Sequence, residues 1–499
     1  ELEKIMKKLL YFLIILLLGC VPEKENFQEM TIQGKITGKI PERIEYTIPI
    51  NGISYVGFEN AVQPDSLGNF KISLVIDKAS FIELSDGHKA YGTIIAEPEM
   101  NYDVSIAVEE KKNKFTIKGP NQKGQDLYNQ NPNRSLLTGH FEVEATKYSK
   151  DSIPKRIKQN LEESREHTLK TYKDLLSDNL ISKEFYELVS IDQHYFYAGA
   201  QTSIALLNYL LSERKMNFLT EEEYTDLWEE AFQSNPVSNP ALMRSPWFFY
   251  YVKSYLWYKD LVEDNIKPEA LLKIKKQELP HTYHIELAKT YLAGKQLEYY
   301  YAAYLYMEAI SQNYEKELVR LFELFKEAYP SSEYTQFIAS EIISIIAFHR
   351  KQDEELNEHT YILENPKDIN SLKDAVHKLN AQRVYVDIWA TWCAPCKKEF
   401  EYNSRLYQLL ENEDTAMLYI SVDKDDRAEK WMEMIKYYQL EGYHIRANEK
   451  LYEDIKRLRG EDRFGIPWHF LMDGEGNIIQ KYMSGPSEIN TLKKQLQGN

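Results

Sequence analysis

Hydrophobic and polar positions are arranged in three different ways along the 499 residues. Between residues 28 and 122 the apolar positions fall in short runs at 71–76, 81–84, 101–107 and 114–118, rich in β-branched and aromatic side chains. Turn residues bound these runs, and Pro64-Asp65-Ser66-Leu67-Gly68-Asn69-Phe70 supplies turn chemistry ahead of one of them. The pattern predicts strands, assembled as an all-β, sandwich-like domain. From 125 to 360 the apolar residues recur at helical spacing with almost no glycine, as in 155–175 and 298–328, which predicts an α-helical domain. Pro330-Ser331-Ser332 stops one helix and offers a cap to the next. No convincing 34-residue repeat is present.

From 366 to 499 strand and helix alternate. Residues 383–389 and 416–422 read as buried strands, and 395–410 as helix. Trp431, Met434, Ile435 and Tyr438 form one apolar helical stripe. Two short strands flank Asp473-Gly474-Glu475-Gly476 as a hairpin, and a final helix runs from 487 to 496. This alternation predicts an α/β sheet with helices on its faces, so the chain as a whole is multidomain.

Composition changes the picture in three places. A formal charge of −16, spread along the chain, gives no electrostatic reason to bind nucleic acid. Tyrosine is abundant, with 37 residues concentrated in the helical region, which fits helix packing with wet edges as well as a recognition face. Cysteine is the informative count. Cys20, Cys393 and Cys396 are the only three, too few for a disulfide framework or a four-thiolate metal site.

The first 20 residues read as an address. Met6-Lys7-Lys8 precedes an apolar run over 9–18 and then Gly19-Cys20, the order of a secretory signal; Met6 is the expected start. The run is shorter than the ~20 residues a spanning helix needs. Leu17-Leu18-Gly19-Cys20 resembles the lipobox of bacterial lipoproteins, in which the matching cysteine is acylated. That resemblance implies a lipid anchor at Cys20, a membrane location in the cell envelope and a periplasmic, oxidising setting for the mature chain.

The chemistry concentrates in Asp387-Ile388-Trp389-Ala390-Thr391-Trp392-Cys393-Ala394-Pro395-Cys396. Two cysteines three apart close a disulfide when the first caps a helix and the second lies in its first turn. The helix dipole then favours a Cys393 thiolate, and Pro395 suits the first turn because its missing N–H has no partner to lose. The segment resembles thioredoxin, and more specifically the TlpA-like lipoprotein branch of that family, over roughly residues 366–499. A similar β domain often precedes such modules in bacterial lipoproteins.

The resemblance implies a C-terminal thioredoxin fold whose cofactor is none beyond the Cys393–Cys396 pair. In it Cys393 is the nucleophile, Cys396 the resolving thiol, Pro467 the cis-proline facing the disulfide, and Asp387 a buried acid exchanging protons with Cys396. Trp392, Ala394, Pro395 and Ile466 then face the substrate. The implied partners are protein disulfides or thiols and a membrane thiol electron donor.

No histidine lies between the cysteines, which favours a reductase over an oxidase or isomerase. Two rival functions stand beside it: a surface or periplasmic binding protein with an accessory thioredoxin module, and a thiol peroxidase-like redoxin. The peroxidase branch carries a threonine three residues before its attacking cysteine, and neither Cys393 nor Cys396 has one there. A zinc site would need scattered histidines such as His444 and His469, and no metal is expected. Asp387 has a rival reading as an exposed strand-end carboxylate, His469 reads as a strand residue without catalytic role, and Lys397 and Lys398 as a solvated helix face.

Overall fold

The computed structural model describes residues 29–50, 59–86, 90–108, 113–130, 141–212, 214–263, 279–363, 368–460 and 465–498; Met6, Cys20 and the signal segment lie outside them. These residues form two compact units. One comprises 29–307 and 320–339, the other 308–319 and 340–498.

The first unit opens with eight strands: β1 (Met30–Gly38), β2 (Ile44–Thr47), β3 (Glu59–Val62), β4 (Asn69–Leu74), β5 (Ser80–Ser85), β6 (Ala90–Ala96), β7 (Asn101–Val108) and β8 (Lys114–Lys118). They pair as two four-stranded sheets, β4-β1-β7-β8 and β3-β2-β5-β6. Ile32, Ile72, Tyr102 and Val104 of the first sheet pack against Ile44, Ile82 and Ile94 of the second, which makes the sandwich core.

Strands β4 and β7 alternate exposed and buried residues, as a sheet with one wet face must, whereas every residue of β5 is buried. The second face of β5 and β6 is covered. Phe81 and Ile95 pack on Tyr128, Tyr172, Phe185, Leu188 and Val189 of the helical region. The open edge of β6 is closed by side-chain amides that mimic a neighbouring strand. Gln125 bonds both the N–H and C=O of Ile95 at 3.0 and 2.8 Å, and Asn129 does the same for Thr93 at 2.8 and 2.8 Å.

Long helices follow, among them Pro154–Ser177, Lys183–Ser212, Glu221–Ser234 and Gly294–Ile310. Thr220 and Glu223 form a capping box at the third of these. The helical stretch expected over 298–328 is broken. Gly294–Ile310 ends, Gln312 and Tyr314 take φ of 55° and 56°, and Lys316–Ala328 begins anew. The residues around this break, 308–319, belong to the second unit.

The second unit holds a six-stranded sheet from β9 (Thr360–Ile362), β10 (Arg383–Trp389), β11 (Ala416–Ser421), β12 (Gly442–Arg446), β13 (Trp468–Asp473) and β14 (Ile478–Gln480), in the order β14-β13-β10-β11-β12-β9. Strands β9 to β12 are mutually parallel, and β13 runs antiparallel to both of its neighbours, β10 and β14. Val384, Val386 and Ile388 of central β10 are fully buried, with Leu418, Ile420, Phe470 and Met472 beside them.

The helix expected over 395–410 is two helices, Ala394–Phe400 and Asn403–Asn412. The turn between them tightens through Glu401 N–H to Lys398 C=O and Tyr402 N–H to Glu399 C=O. This break turns Asn403 inward, where its amide donates to the hydroxyls of Tyr407 and Tyr419 at 3.0 and 2.8 Å.

One turn recurs in both units. Asp65 accepts from Leu67 N–H, Asn69 N–H and the Asn69 amide, and Asp473 repeats this with Glu475 and Asn477. Gly68 and Gly476, at φ of 81° and 82°, take the left-handed position that closes each turn.

Two buried histidines predict how the fold responds to acid. His444 stacks flat on Tyr419 at 4.9 Å and contacts the Leu440 carbonyl at 3.1 Å through Nε2; burial pulls its pKa down to about 3. Burial, with Lys253 and His281 nearby, pulls His284 of the first unit to about 3 as well. Each ring is neutral when folded and takes a proton near pH 6.5 when unfolded. Their stabilisation is therefore complete above pH 6.5 and is lost as pH falls toward 3. Urea unfolding at pH 6.5 and 4.5 should show wild type losing up to ~2 kcal/mol more than His444→Gln. Equal losses in the two proteins would contradict the buried neutral ring.

Candidate active site

Strand β10 ends at Trp389, and the chain turns through Ala390–Trp392 into the helix Ala394–Phe400. Cys393 is the N-cap, its Sγ accepting from the Cys396 N–H at 3.2 Å, and Pro395 stands in the first turn. Cys393 and Cys396 are joined as a disulfide, their Cα atoms 5.3 Å apart. Cys393 is 4% exposed and Cys396 fully buried. Trp392 is 53% exposed beside it, while Trp389 is buried against Phe400.

The Ile466–Pro467 peptide bond is cis, at the start of β13. Ile466 and Trp392 share a groove of about 1050 Å3 with Val422–Arg427, Arg446–Glu449 and Tyr452. The groove therefore runs from the disulfide's indole neighbour across the carboxyl ends of β11 and β12.

Asp387 lies on β10, six residues before Cys393, and is 2% exposed, so the exposed strand-end reading is wrong. Its register partners are Tyr419 on β11 and His469 on β13. His469 Nε2 is 3.4 Å from Asp387 Oδ1, an ion-pair contact that is long for a hydrogen bond. Tyr385 lies nearly parallel to the imidazole at 5.7 Å.

The loop before the cysteines is tied down by groups that carry no sequence motif. Asp423, 2% exposed, accepts from Thr391 N–H at 2.7 Å, Thr391 Oγ1 at 2.8 Å and Ser421 Oγ at 2.8 Å. Arg427 reaches Thr391 Oγ1 from outside at 3.3 Å. Only the position of Asp423 just past a buried strand could have flagged it.

Lys397 corrects the expectation of a solvated helix face, because it is fully buried. The segment 308–319 covers this side of the helix. Lys397 Nζ donates to the carbonyls of Ser311 at 2.7 Å and Gln312 at 3.1 Å. Burial pulls its pKa down to about 8, with Glu315 opposing and Lys430 and Arg427 assisting. Tyr314 of the same segment stacks on Phe348 at 4.2 Å, and its hydroxyl meets that of Tyr438 at 2.5 Å. Among the described residues no group of three or more His, Cys, Asp or Glu side chains is placed to hold a metal ion. No described helix is long and apolar enough to cross a membrane.

Comparison with known proteins finds similarity over the carboxy-terminal region. Residues 365–493 match the AhpC/TSA family. The chain is 25% identical over 132 residues to the thiol-disulfide oxidoreductase ResA of Bacillus cereus, covering 26% of this chain and 69% of that protein. It is 29% identical over 114 residues to ResA of Bacillus thuringiensis, covering 23% of this chain and 62% of that one. A solution structure of a thiol:disulfide interchange protein from a Bacteroides species aligns at 24% identity and TM-score 0.22, over 24% of this chain and 78% of that one. The carboxy-terminal region is thus thioredoxin-like and similar to the ResA thiol-disulfide oxidoreductases, and Cys393 and Cys396 are paired in it as a disulfide.

Proposed function

We propose that the protein is a membrane-anchored, extracytoplasmic thiol–disulfide oxidoreductase that reduces disulfides in other proteins. The observation that carries this reading is the Cys393–Cys396 disulfide at the start of a helix, with Cys393 the less buried sulfur and a groove alongside. In the reaction a Cys393 thiolate attacks a substrate disulfide and one substrate sulfur leaves. Cys396, deprotonated by Asp387, then attacks Cys393 and releases the second substrate thiol. Trp392, Ile466 and Pro467 are the groups beside which the substrate segment would lie, and Ala394 and Pro395 the ones between the sulfurs.

The reducing direction rests on Ala394-Pro395, which places no imidazole between the cysteines to stabilise the reduced form. Electrons would come from a membrane thiol carrier, and an acyl group on Cys20 would hold the chain at the membrane, with the thioredoxin-like domain in the periplasm. Equilibrating the chain from residue 21 against thiol buffers tests the direction. A potential near about −270 mV or lower supports reduction, whereas one near about −120 mV reverses it. Failure of the cysteines to form a disulfide with each other would remove the reading altogether.

A further inference from the structure

Among the described residues, His469 is the buried histidine in direct contact with the acid assigned to proton exchange. It stands opposite Asp387 on the neighbouring strand, with Nε2 and Oδ1 3.4 Å apart and both side chains shielded from water. A second carboxylate faces it from the helix that carries the cysteines. Glu399, one turn beyond Cys396, is buried and accepts from Ser487 N–H at 2.9 Å and Ser487 Oγ at 2.8 Å. The two side chains converge over Gly485: a Cβ built there would lie 2.6 Å from Glu399 Oε2 and 3.0 Å from His469 Cε1. The imidazole is thus enclosed by Asp387 and Tyr385 on β10, Glu399 on the redox helix and the Gly485 backbone.

A neutral imidazole between two buried carboxylates would leave both uncompensated, which is costly away from water. A single imidazolium offsets one of the two charges, that of Asp387 which it contacts, while Glu399 is held by its two Ser487 donors. Burial alone lowers the pKa of His469, but Asp387, with Glu399 behind it, reverses the direction, and the net effect is upward.

We propose that His469 is a positioning residue for the exchange reaction: its ring, in contact with Asp387 across the strand pair, holds that carboxylate in place as the acceptor for the proton that Cys396 releases. The inference rests on the reading of Asp387 given above. The step balances within the protein. Cys396 loses its proton to Asp387, its sulfur forms the bond to Cys393 Sγ, and the substrate sulfur leaves as a thiolate carrying the electron pair of the broken bond.

Single-turnover reaction of the reduced chain with 5,5′-dithiobis(2-nitrobenzoate) separates the two steps. The first coloured thiolate reports attack by Cys393, the second resolution by Cys396. In wild type the second phase should stay fast into mildly acid solution. In His469→Gln its acid limb should move up by about one pH unit, a roughly tenfold loss of rate at pH 5, while the first phase is unchanged. Asp387→Asn should slow the second phase at every pH.

If Asp387→Asn slows resolution and His469→Gln leaves the profile in place, the His469 inference is overturned and the Asp387 reading stands. If Asp387→Asn has no effect, the Asp387 reading itself fails. A titration of the His469 ring by NMR in the unmutated protein needs no variant to fold. The inference requires an imidazolium that persists above pH 6.5, and a ring neutral from pH 5 to 8 ends it.

Discussion

Cys396→Ser is expected to accumulate substrates covalently on Cys393, while Cys393→Ser accumulates none. The asymmetry comes from burial and capping. Cys393 lies at the helix N-terminus beside exposed Trp392, where backbone N–H groups favour its thiolate, whereas Cys396 is closed off in the first turn. A partner sulfur can therefore reach Cys393 but not Cys396. With serine at 396 the mixed disulfide forms and persists, because a hydroxyl is too weak a nucleophile to displace it. Steady-state exchange should fall by roughly three orders of magnitude or more in either variant. The two differ in what is left behind, which non-reducing electrophoresis and intact-mass measurement of the purified protein will show. Equal adducts on both variants, or none on either, would contradict the assigned order of attack. Retention of the cellular phenotype in the double alanine variant would favour a binding role instead.

Those two cysteines were legible because the constraint on them is local. A helix cap, a first-turn proline and a second thiol three residues on occupy four consecutive positions. The turns at Asp65–Asn69 and Asp473–Asn477 are legible for the same reason, since an aspartate collecting N–H groups within four residues needs nothing from the rest of the chain. Strand β5 shows the next degree of difficulty. Its apolar run marked a strand, but its covered second face depends on Phe185 and Leu188, a hundred residues away.

What was hidden depends on tertiary contact. The run over 298–328 carries helix-forming residues throughout, yet it breaks where Ser311 and Gln312 turn their carbonyls to Lys397. The same contact explains the misreading of Lys397. Its neighbours in sequence describe a wet helix face, and only the segment 308–319 buries it. His469 looked like an ordinary strand residue because its partners, Asp387 and Glu399, come from a strand and a helix some seventy to eighty residues earlier.

Asp423 gave no signal for the same reason, and its removal carries the second large effect. Asp423→Ala withdraws the acceptor for Thr391 N–H, Thr391 Oγ1 and Ser421 Oγ, all inside the protein. Buried donors left unpaired cost about 1–3 kcal/mol each, so the second unit should lose ~3–5 kcal/mol of stability. The charge has a separate consequence. Asp423 shares Thr391 Oγ1 with Arg427 and acts electrostatically on Lys397, as Arg427 and Lys430 do, at the start of the helix that carries the cysteines. Without it their field is less balanced and the reduced, thiolate-bearing form gains, so the potential should become more oxidising by about 30 mV, a differential of ~1.4 kcal/mol. Asp423→Asn separates the two consequences, because it keeps an acceptor for Thr391 while removing the charge. It should lose less stability than the alanine variant but show the same shift in potential. Urea unfolding and thiol-buffer equilibration of the three proteins measure both quantities. If Asp423→Asn keeps the wild-type potential, Asp423 serves the loop by hydrogen bonding alone, and the cations around Lys397 do not tune the disulfide through it.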